Sequence, residues 1–198
     1  MDIEIKNIGK KYNRNWIFRN LDFQIKSGEM VSITGHNGSG KSTLLQIISG
    51  FTTASEGQIN YNETADDLQV DFSFVAPYQN IIEEFTLIEH LRFHARFKHP
   101  KIPFSDIIEK SGLTGSENKI IQEFSSGMKQ RLRLALAFFY DAKVIFLDEP
   151  TSNLDSKGEK WYHALIQSVK GNSTIIVASN QEFEIKEAQR NISIENFK

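Results

Sequence analysis

The chain of 198 residues contains no cysteine, which removes disulfide frameworks and thiolate–metal sites and is compatible with a reducing compartment. Nor does it carry an excess of positive charge. A formal net charge of −2 and a pI near 6.2 leave no basic field to attract nucleic acid or an anionic membrane surface. Long hydrophobic runs are missing as well. The two longest, residues 134–140 and 144–147, fall far short of the roughly 20 apolar residues that span a bilayer, and Asp141 and Lys143 separate them. The opening Met1-Asp2-Ile3-Glu4 lacks the basic and apolar regions of a secretion signal. There is no internal repeat and no low-complexity tract. With 39% hydrophobic residues, these absences leave a single globular domain over residues 1–198 that reaches any membrane through a partner.

The rhythm of apolar residues changes along this domain. Residues 3–5, 21–25, 30–34, 58–61 and 72–75 read as short strands, with turns at Lys26-Ser27-Gly28 and Ser55-Glu56-Gly57. The period then becomes helical. Leu87, Leu91 and Ala95 recur every four residues within a helix predicted over 86–97; helices over 104–110 and 128–140 follow. Residues 143–147 are an apolar run of the kind found in a buried parallel strand. A helix over 156–169 places Trp161, Leu165 and Val169 on one face, and strands at 174–178 and 192–194 close the pattern. A β-rich start, strand–helix alternation at both ends and an all-helical insert over about residues 78–137 predict an α/β core with a helical subdomain.

The run Gly35-His36-Asn37-Gly38-Ser39-Gly40-Lys41-Ser42-Thr43 fits the phosphate-loop pattern G-x-x-x-x-G-K-[ST], between a predicted strand and an apolar helix candidate at 44–48. Glycines let such a loop turn its N–H groups onto an anion, and the helix that follows offers its positive end. Lys41 can reach the β- and γ-phosphates and the Ser42 hydroxyl can take a Mg²⁺ position, so a nucleoside triphosphate is the leading ligand. Further along, Val144-Ile145-Phe146-Leu147-Asp148-Glu149-Pro150 sets two acids at the C-terminal end of an apolar strand, where open parallel sheets bind ligands. There Asp148 would hold Mg²⁺ through water, and Glu149 would act on an attacking water as base or positioner.

Between these sites Phe124-Ser125-Ser126-Gly127-Met128-Lys129-Gln130-Arg131 opens a helix. Ser125 is a natural N-cap, Gly127 permits close backbone approach, and the helix end makes a second anion site. One phosphate loop in one chain has no evident need of it; two chains facing each other do. In this order the motifs resemble the nucleotide-binding domain of ATP-binding cassette (ABC) transporters, whose signature is usually L-S-G-G-Q, and the resemblance covers essentially the whole chain. It implies a P-loop NTPase (RecA-like) core with an N-terminal antiparallel β subdomain and an inserted α-helical subdomain. It also implies ATP and Mg²⁺ as cofactors, and a homo- or heterodimer in which Ser125, Ser126 and Gly127 of one subunit complete the site of the other. Thr151-Ser152-Asn153-Leu154-Asp155 matches the family's D-loop, where Asp155 would help couple the two sites. Tyr12, after Lys11, matches the A-loop aromatic that stacks on adenine, a contact of about 1–3 kcal/mol by analogy with base–aromatic stacking.

Three departures from the family pattern stand out. Ser126 and Met128 replace glycine and glutamine in the signature, while Ser125 and Gly127, the pair expected at phosphate, are kept. Counting back from Thr86 puts Pro77 where the Q-loop glutamine is usual, within Val75-Ala76-Pro77-Tyr78-Gln79-Asn80. With a shortened loop Gln79 serves instead, in the catalytic and Mg²⁺-binding role. Asn180, in Val177-Ala178-Ser179-Asn180-Gln181, takes the place of the switch histidine. Asparagine donates a neutral hydrogen bond but carries no charge. The roughly 1–2 kcal/mol that separates it from a charge-assisted bond predicts hydrolysis about ten- to thirty-fold slower. His90 and His94 stand at i, i+4, a spacing that can bind metal, but with no third ligand they read as a solvated or partly packed helix face. The resemblance implies a cytoplasmic ATPase, peripheral on the inner membrane face, that powers a separate permease docked near Tyr78, Gln79, Ile82 and Phe85. A soluble cassette ATPase outside transport and a slow-hydrolysing nucleotide sensor are the alternatives; no nucleic-acid partner is implied.

Overall fold

The computed structural model describes residues 1–62 and 68–198. Strands β1 (Ile3–Tyr12), β2 (Asn15–Ile25) and β3 (Met30–Thr34) lead through the glycine-rich loop to helix α1 (Lys41–Ile48) and strand β4 (Glu56–Tyr61). Helix α2 (Leu68–Asp71) and strand β5 (Phe72–Val75) precede helices α3 (Leu87–His94), α4 (Phe104–Lys110) and α5 (Ser126–Phe138). Strand β6 (Val144–Asp148), helix α6 (Ser156–Val169), strand β7 (Thr174–Ala178), helix α7 (Glu182–Ile185) and strand β8 (Arg190–Ser193) follow. Among the described residues the strands form an antiparallel sheet, β2-β1-β4, and a parallel sheet, β5-β6-β7-β3-β8.

Strands β6 and β7 are buried along their whole length, which explains the apolar run read at residues 143–147. The pleat sends alternate residues to opposite cores. Val144 and Phe146 join a cluster with Leu44, Leu45 and Ile48 of α1 and with the antiparallel sheet. Ile145 and Leu147 join a second cluster with Leu134 and Phe138 of α5 and Tyr162, Leu165 and Ile166 of α6. A third cluster, with Leu87, Leu91, Ile107, Leu132 and Tyr140, lies within the predicted helical stretch and its immediate edge.

Register fixes the functional edge. Ala178 pairs with Ile33 on one side and with Asp148 on the other, so β3, β6 and β7 all end together. The loops that leave these ends carry Gly35, Glu149 and Asn180.

Several element bounds differ from the sequence reading. Strands β1 and β2 run far beyond residues 3–5 and 21–25, because register shifts between Ile5 and Lys11 break the alternation that marks a strand. Asn7 and Asn20, at φ 49 and 57, interrupt it further. The helix predicted over 86–97 ends at His94, and Arg96 and Phe97 N–H groups then bond three residues back in tighter turns. Helix α5 begins two residues earlier than 128, where Ser125 caps it, and the final strand is 190–193 rather than 192–194.

Candidate nucleotide site

Helix α1 starts without a side-chain cap. Its N-cap is Gly40, and the Leu44 N–H bonds the Gly40 carbonyl at 2.9 Å, which leaves the amides of Lys41, Ser42 and Thr43 without a helical acceptor. Helices α3, α5 and α6 begin instead with Thr86, Ser125 and Asp155, each accepting from a first-turn amide. Gly40 cannot be anything else: its φ is +105, and a Cβ there would lie 2.5 Å from Ile17 Cγ2. Open donors at the positive end of a helix form an anion site. Lys41 Nζ donates to the carbonyls of Gly35 (2.9 Å) and His36 (3.4 Å), which folds the ammonium over the loop. Ser39 Oγ is buried with no hydrogen-bond partner. A cleft of about 230 Å³ lined by Ile17, Gly38, Lys41, Thr43 and Glu149 lies against this helix end.

One expected phosphate contact is already committed. The His36 N–H donates to Glu195 Oε1 at 2.8 Å, and His36 Nδ1 lies 2.8 Å from the same oxygen. The His36 backbone therefore holds Glu195 below the usual carboxylate range and is not part of the open cradle.

Asp148, 2% exposed, ends β6 beside this cradle. Its Oδ1 accepts from Ser42 Oγ and its Oδ2 from the Tyr78 hydroxyl, both at 3.0 Å. Burial pushes this carboxyl above the usual aspartate range, and the two hydrogen bonds oppose the shift. A buried carboxylate beside a hydroxyl is a hard-oxygen donor set that suits Mg²⁺, which completes its shell with water and phosphate oxygens. Among the described residues no cluster of three His, Cys, Asp or Glu offers an all-protein metal cage.

No hydrogen bond joins Gln79 to Asp148 or Ser42. Its Oε1 is buried without a partner, and its carbonyl accepts from Arg133 Nε at 3.0 Å. The cause is a turn in which the Gln79 N–H bonds the Ala76 carbonyl at 3.1 Å, with Pro77 at the second position where its fixed φ is favoured. That turn delivers Tyr78 to Asp148. Burial, with the nearby Asp148 charge, pushes the Tyr78 phenol up to about 12, so it is a donor at neutral pH. Its oxygen also accepts from Gln46 Nε2 of α1 at 2.9 Å. Tyr78 read in sequence as a partner-facing aromatic, because nothing in its spacing marks a hydroxyl at the metal carboxylate.

Glu149 lies in the left-handed region at φ 44 and its N–H donates to the Ala178 carbonyl at 3.0 Å. It borders both the cleft over the loop and a second cleft of about 380 Å³ lined by Asn37, Thr151, Asn180 and Glu184. Asn180 Oδ1 accepts from the Gly35 N–H at 3.1 Å, so the residue in the switch position is anchored to the phosphate loop. Glu184 went unnoticed in sequence. Its buried Oε1 accepts from the Thr151 N–H at 2.8 Å and from the Thr151 hydroxyl, tying the segment after the paired acids to helix α7. A lone glutamate on a four-residue helix carries no spacing signal.

The remaining candidates lie apart. Ser125 Oγ accepts from the Met128 N–H at 3.2 Å and keeps its own O–H to donate. A Cβ on Gly127 would sit 3.1 Å from the Asn153 carbonyl, so the signature turn touches the D-loop of the same chain. Asp155 Oδ1 caps α6 through the Gly158 N–H at 2.8 Å and lies 3.7 Å from Arg131 Nη2. Ser125, Ser126, Gly127 and Asp155 line neither cleft. Tyr12 is 51% exposed at the end of β1, with Lys10 Nζ 5.0 Å from its ring centre. His90 and His94 are packed inward: His90 Nε2 accepts from the Ile82 N–H at 3.3 Å, and His94 meets Tyr140 edge-on at 4.6 Å.

A glycine loop opening an uncapped helix, at the C-terminal edge of a parallel sheet and beside paired acids, defines the P-loop NTPase class. Residues 18–152 match the sequence profile of the ABC transporter family, and the chain belongs to that family. It is 33% identical over 194 residues to the uncharacterized ABC transporter ATP-binding protein YybJ of Bacillus subtilis, covering 92% of this chain and 87% of that protein. It is 30% identical over 188 residues to the cytochrome c biogenesis ATP-binding export protein CcmA of Vibrio parahaemolyticus, covering 91% and 92%. A dimeric ATP-binding cassette solved in a post-hydrolysis state with ADP and Pi superposes with a TM-score of 0.82 at 26% identity, over 97% of this chain and 94% of that one. Among the described residues no helix is long and apolar enough to cross a membrane.

Proposed function

We propose that this chain is the ATP-binding and hydrolysing subunit of an ABC transporter, working as a dimer on a separate membrane permease at the cytoplasmic face. The observation that carries the reading is the uncapped N-terminus of α1 set beside Ser42, Asp148 and Glu149. Lys41 and the amides of residues 41–43 would bind the triphosphate, with Ser42 and Asp148 holding Mg²⁺. The cation, when bound, neutralises charge on the β- and γ-oxygens. Glu149 would orient the attacking water or take its proton. Asn180, anchored through Oδ1, has its Nδ2–H groups left to donate, without charge, towards the γ-phosphate. Turnover is accordingly slow.

An aromatic ladder supports the permease contact. Phe85, Phe93 and Phe97 stack edge-to-face at 5.6 and 5.2 Å, and Phe97 is 62% exposed. Such exposed apolar surface on α3 and the turn after it suits an amphipathic segment of the permease. The export function in the name of the CcmA relative favours transport over a soluble role.

Phosphate release by the purified protein, alone and with its co-purified membrane partner, tests the proposal. Glu149→Gln should retain ATP binding and lose about 10²–10⁴-fold in turnover. Wild-type protein that binds no ATP, or turns over no faster than this variant, would overturn it.

A further inference from the structure

We propose that Tyr78 is a positioning residue for the divalent cation of the nucleotide site, acting through Asp148; the inference rests on the ATP–Mg²⁺ reading above. Both oxygens of the Asp148 carboxylate are engaged, Oδ1 by Ser42 Oγ and Oδ2 by the Tyr78 hydroxyl, each at 3.0 Å. Ser42 is itself a ligand candidate, and its hydroxyl would offer a lone pair to a bound cation. Tyr78 is then the side chain that keeps the carboxylate in its plane.

The direction of the phenol's hydrogen bond is fixed from behind. Gln46 Nε2 is a donor with no acceptor capacity, and it points an N–H at the Tyr78 oxygen at 2.9 Å. Gln46 Oε1 is meanwhile available to Thr52 Oγ1 at 3.4 Å, which sets the amide's orientation. The Tyr78 proton is thus committed to Asp148. The relay runs from the C-terminal side of α1, through the turn after β5, to the end of β6, and so ties three elements to one carboxylate.

The backbone is arranged for this job. Pro77 sits at the second position of the Ala76–Gln79 turn, and Tyr78 occupies the third. Gln79, the residue whose type suggested a metal role, has its backbone carbonyl bonded by Arg133 and makes no hydrogen bond to Asp148. Partners that hydrogen-bond a metal-ligating carboxylate typically govern metal affinity by 10–100-fold without touching the ion.

Tyr78→Phe removes the hydroxyl and keeps the ring. The test is Mn²⁺ affinity, read by electron paramagnetic resonance with saturating non-hydrolysable ATP analogue, beside analogue affinity in EDTA and thermal unfolding without metal. The variant should bind Mn²⁺ about 10–100-fold more weakly, with EDTA affinity and unfolding midpoint as in the wild type. Mn²⁺ affinity within twofold of wild type, or tighter, overturns the assignment. So does a loss matched by an equal loss of metal-free nucleotide binding, which would mark a structural role. If Gln79→Ala weakens Mn²⁺ and Tyr78→Phe does not, the role passes to Gln79. Wild-type protein that binds no nucleotide overturns the ATP reading itself, and this assignment with it.

Discussion

Asn180 accepts the Gly35 N–H on Oδ1 at 3.1 Å, and this single contact places a neutral amide where the family resemblance expects a histidine. Its neighbour in the site, Glu149, is held at φ 44, a conformation that costs a non-glycine residue of order 1–3 kcal/mol. The Glu149 N–H bond to the Ala178 carbonyl helps to keep it there, and Ala178 also fixes the register of β3 and β6 around the site. The scaffold therefore fixes the Glu149 backbone, and the side chain at position 180 carries no charge. Asn180→His supplies a group that can donate with charge, worth about 1–2 kcal/mol over the neutral bond. Turnover at saturating ATP should rise about tenfold, with KM little changed, as measured by phosphate release across a range of ATP concentrations. A variant no faster than wild type would show that the amide is not what limits hydrolysis.

Helix α3 and the turn beyond it carry His90, His94 and Lys98 inward at four-residue intervals. Burial, with the Lys98 and His90 charges adding to it, lowers His94 to about 4, and burial lowers His90 in the same direction. Lys98, lowered to about 8 by its own burial, reaches the Phe72 carbonyl and Ser73 Oγ of β5 and so fastens the helical part to the parallel sheet. As pH falls below the ordinary histidine value, the unfolded chain takes up protons that the folded chain refuses. Stability present above about pH 7 is lost as pH falls toward 4, by up to about 3 kcal/mol for His94. The lowered carboxyls such as Glu56 and Glu89 act only below the ordinary carboxylate range, and Asp148 is common to any pair of variants compared. His94→Gln should therefore shrink the difference between urea midpoints at pH 7 and pH 5, and an unchanged difference would place the acid sensitivity elsewhere. At this scale the sequence was partly transparent. The helix starting near Thr86 and the fully buried β6 follow from local pattern. The full lengths of β1 and β2 do not, because bulges and left-handed asparagines erase the period-two signal. The phosphate loop and the paired acids were legible as contiguous motifs. Tyr78 and Glu184 were not, since each acquires its partner, Asp148 or Thr151, only through tertiary folding across 70 and 33 residues.

Within one molecule the two helix ends proposed for phosphate lie apart. The open end of α1 borders the cleft beside Glu149, whereas the Ser125 end of α5 lines neither cleft and leans on the D-loop through Gly127 and Asn153. A Ser125 hydroxyl that caps its own helix and still has a proton to donate is half of a phosphate contact in search of the phosphate. In the proposed two-fold dimer each chain would present α5 to its partner's loop and so supply it. Complementation separates this arrangement from a site contained in one chain. Lys41→Ala disables the phosphate loop and leaves Ser125 intact. Ser125→Asp preserves the N-cap, since aspartate caps as well as serine, while placing a negative charge against the γ-phosphate. Each variant alone should be inactive. Mixed in equal amounts and allowed to exchange, they should regain about a quarter of wild-type turnover, because half of the random dimers are mixed and each of those holds one intact composite site. If each site were built within one chain without Ser125, Ser125→Asp alone would remain active and the mixture would show no more than the sum of its two parts.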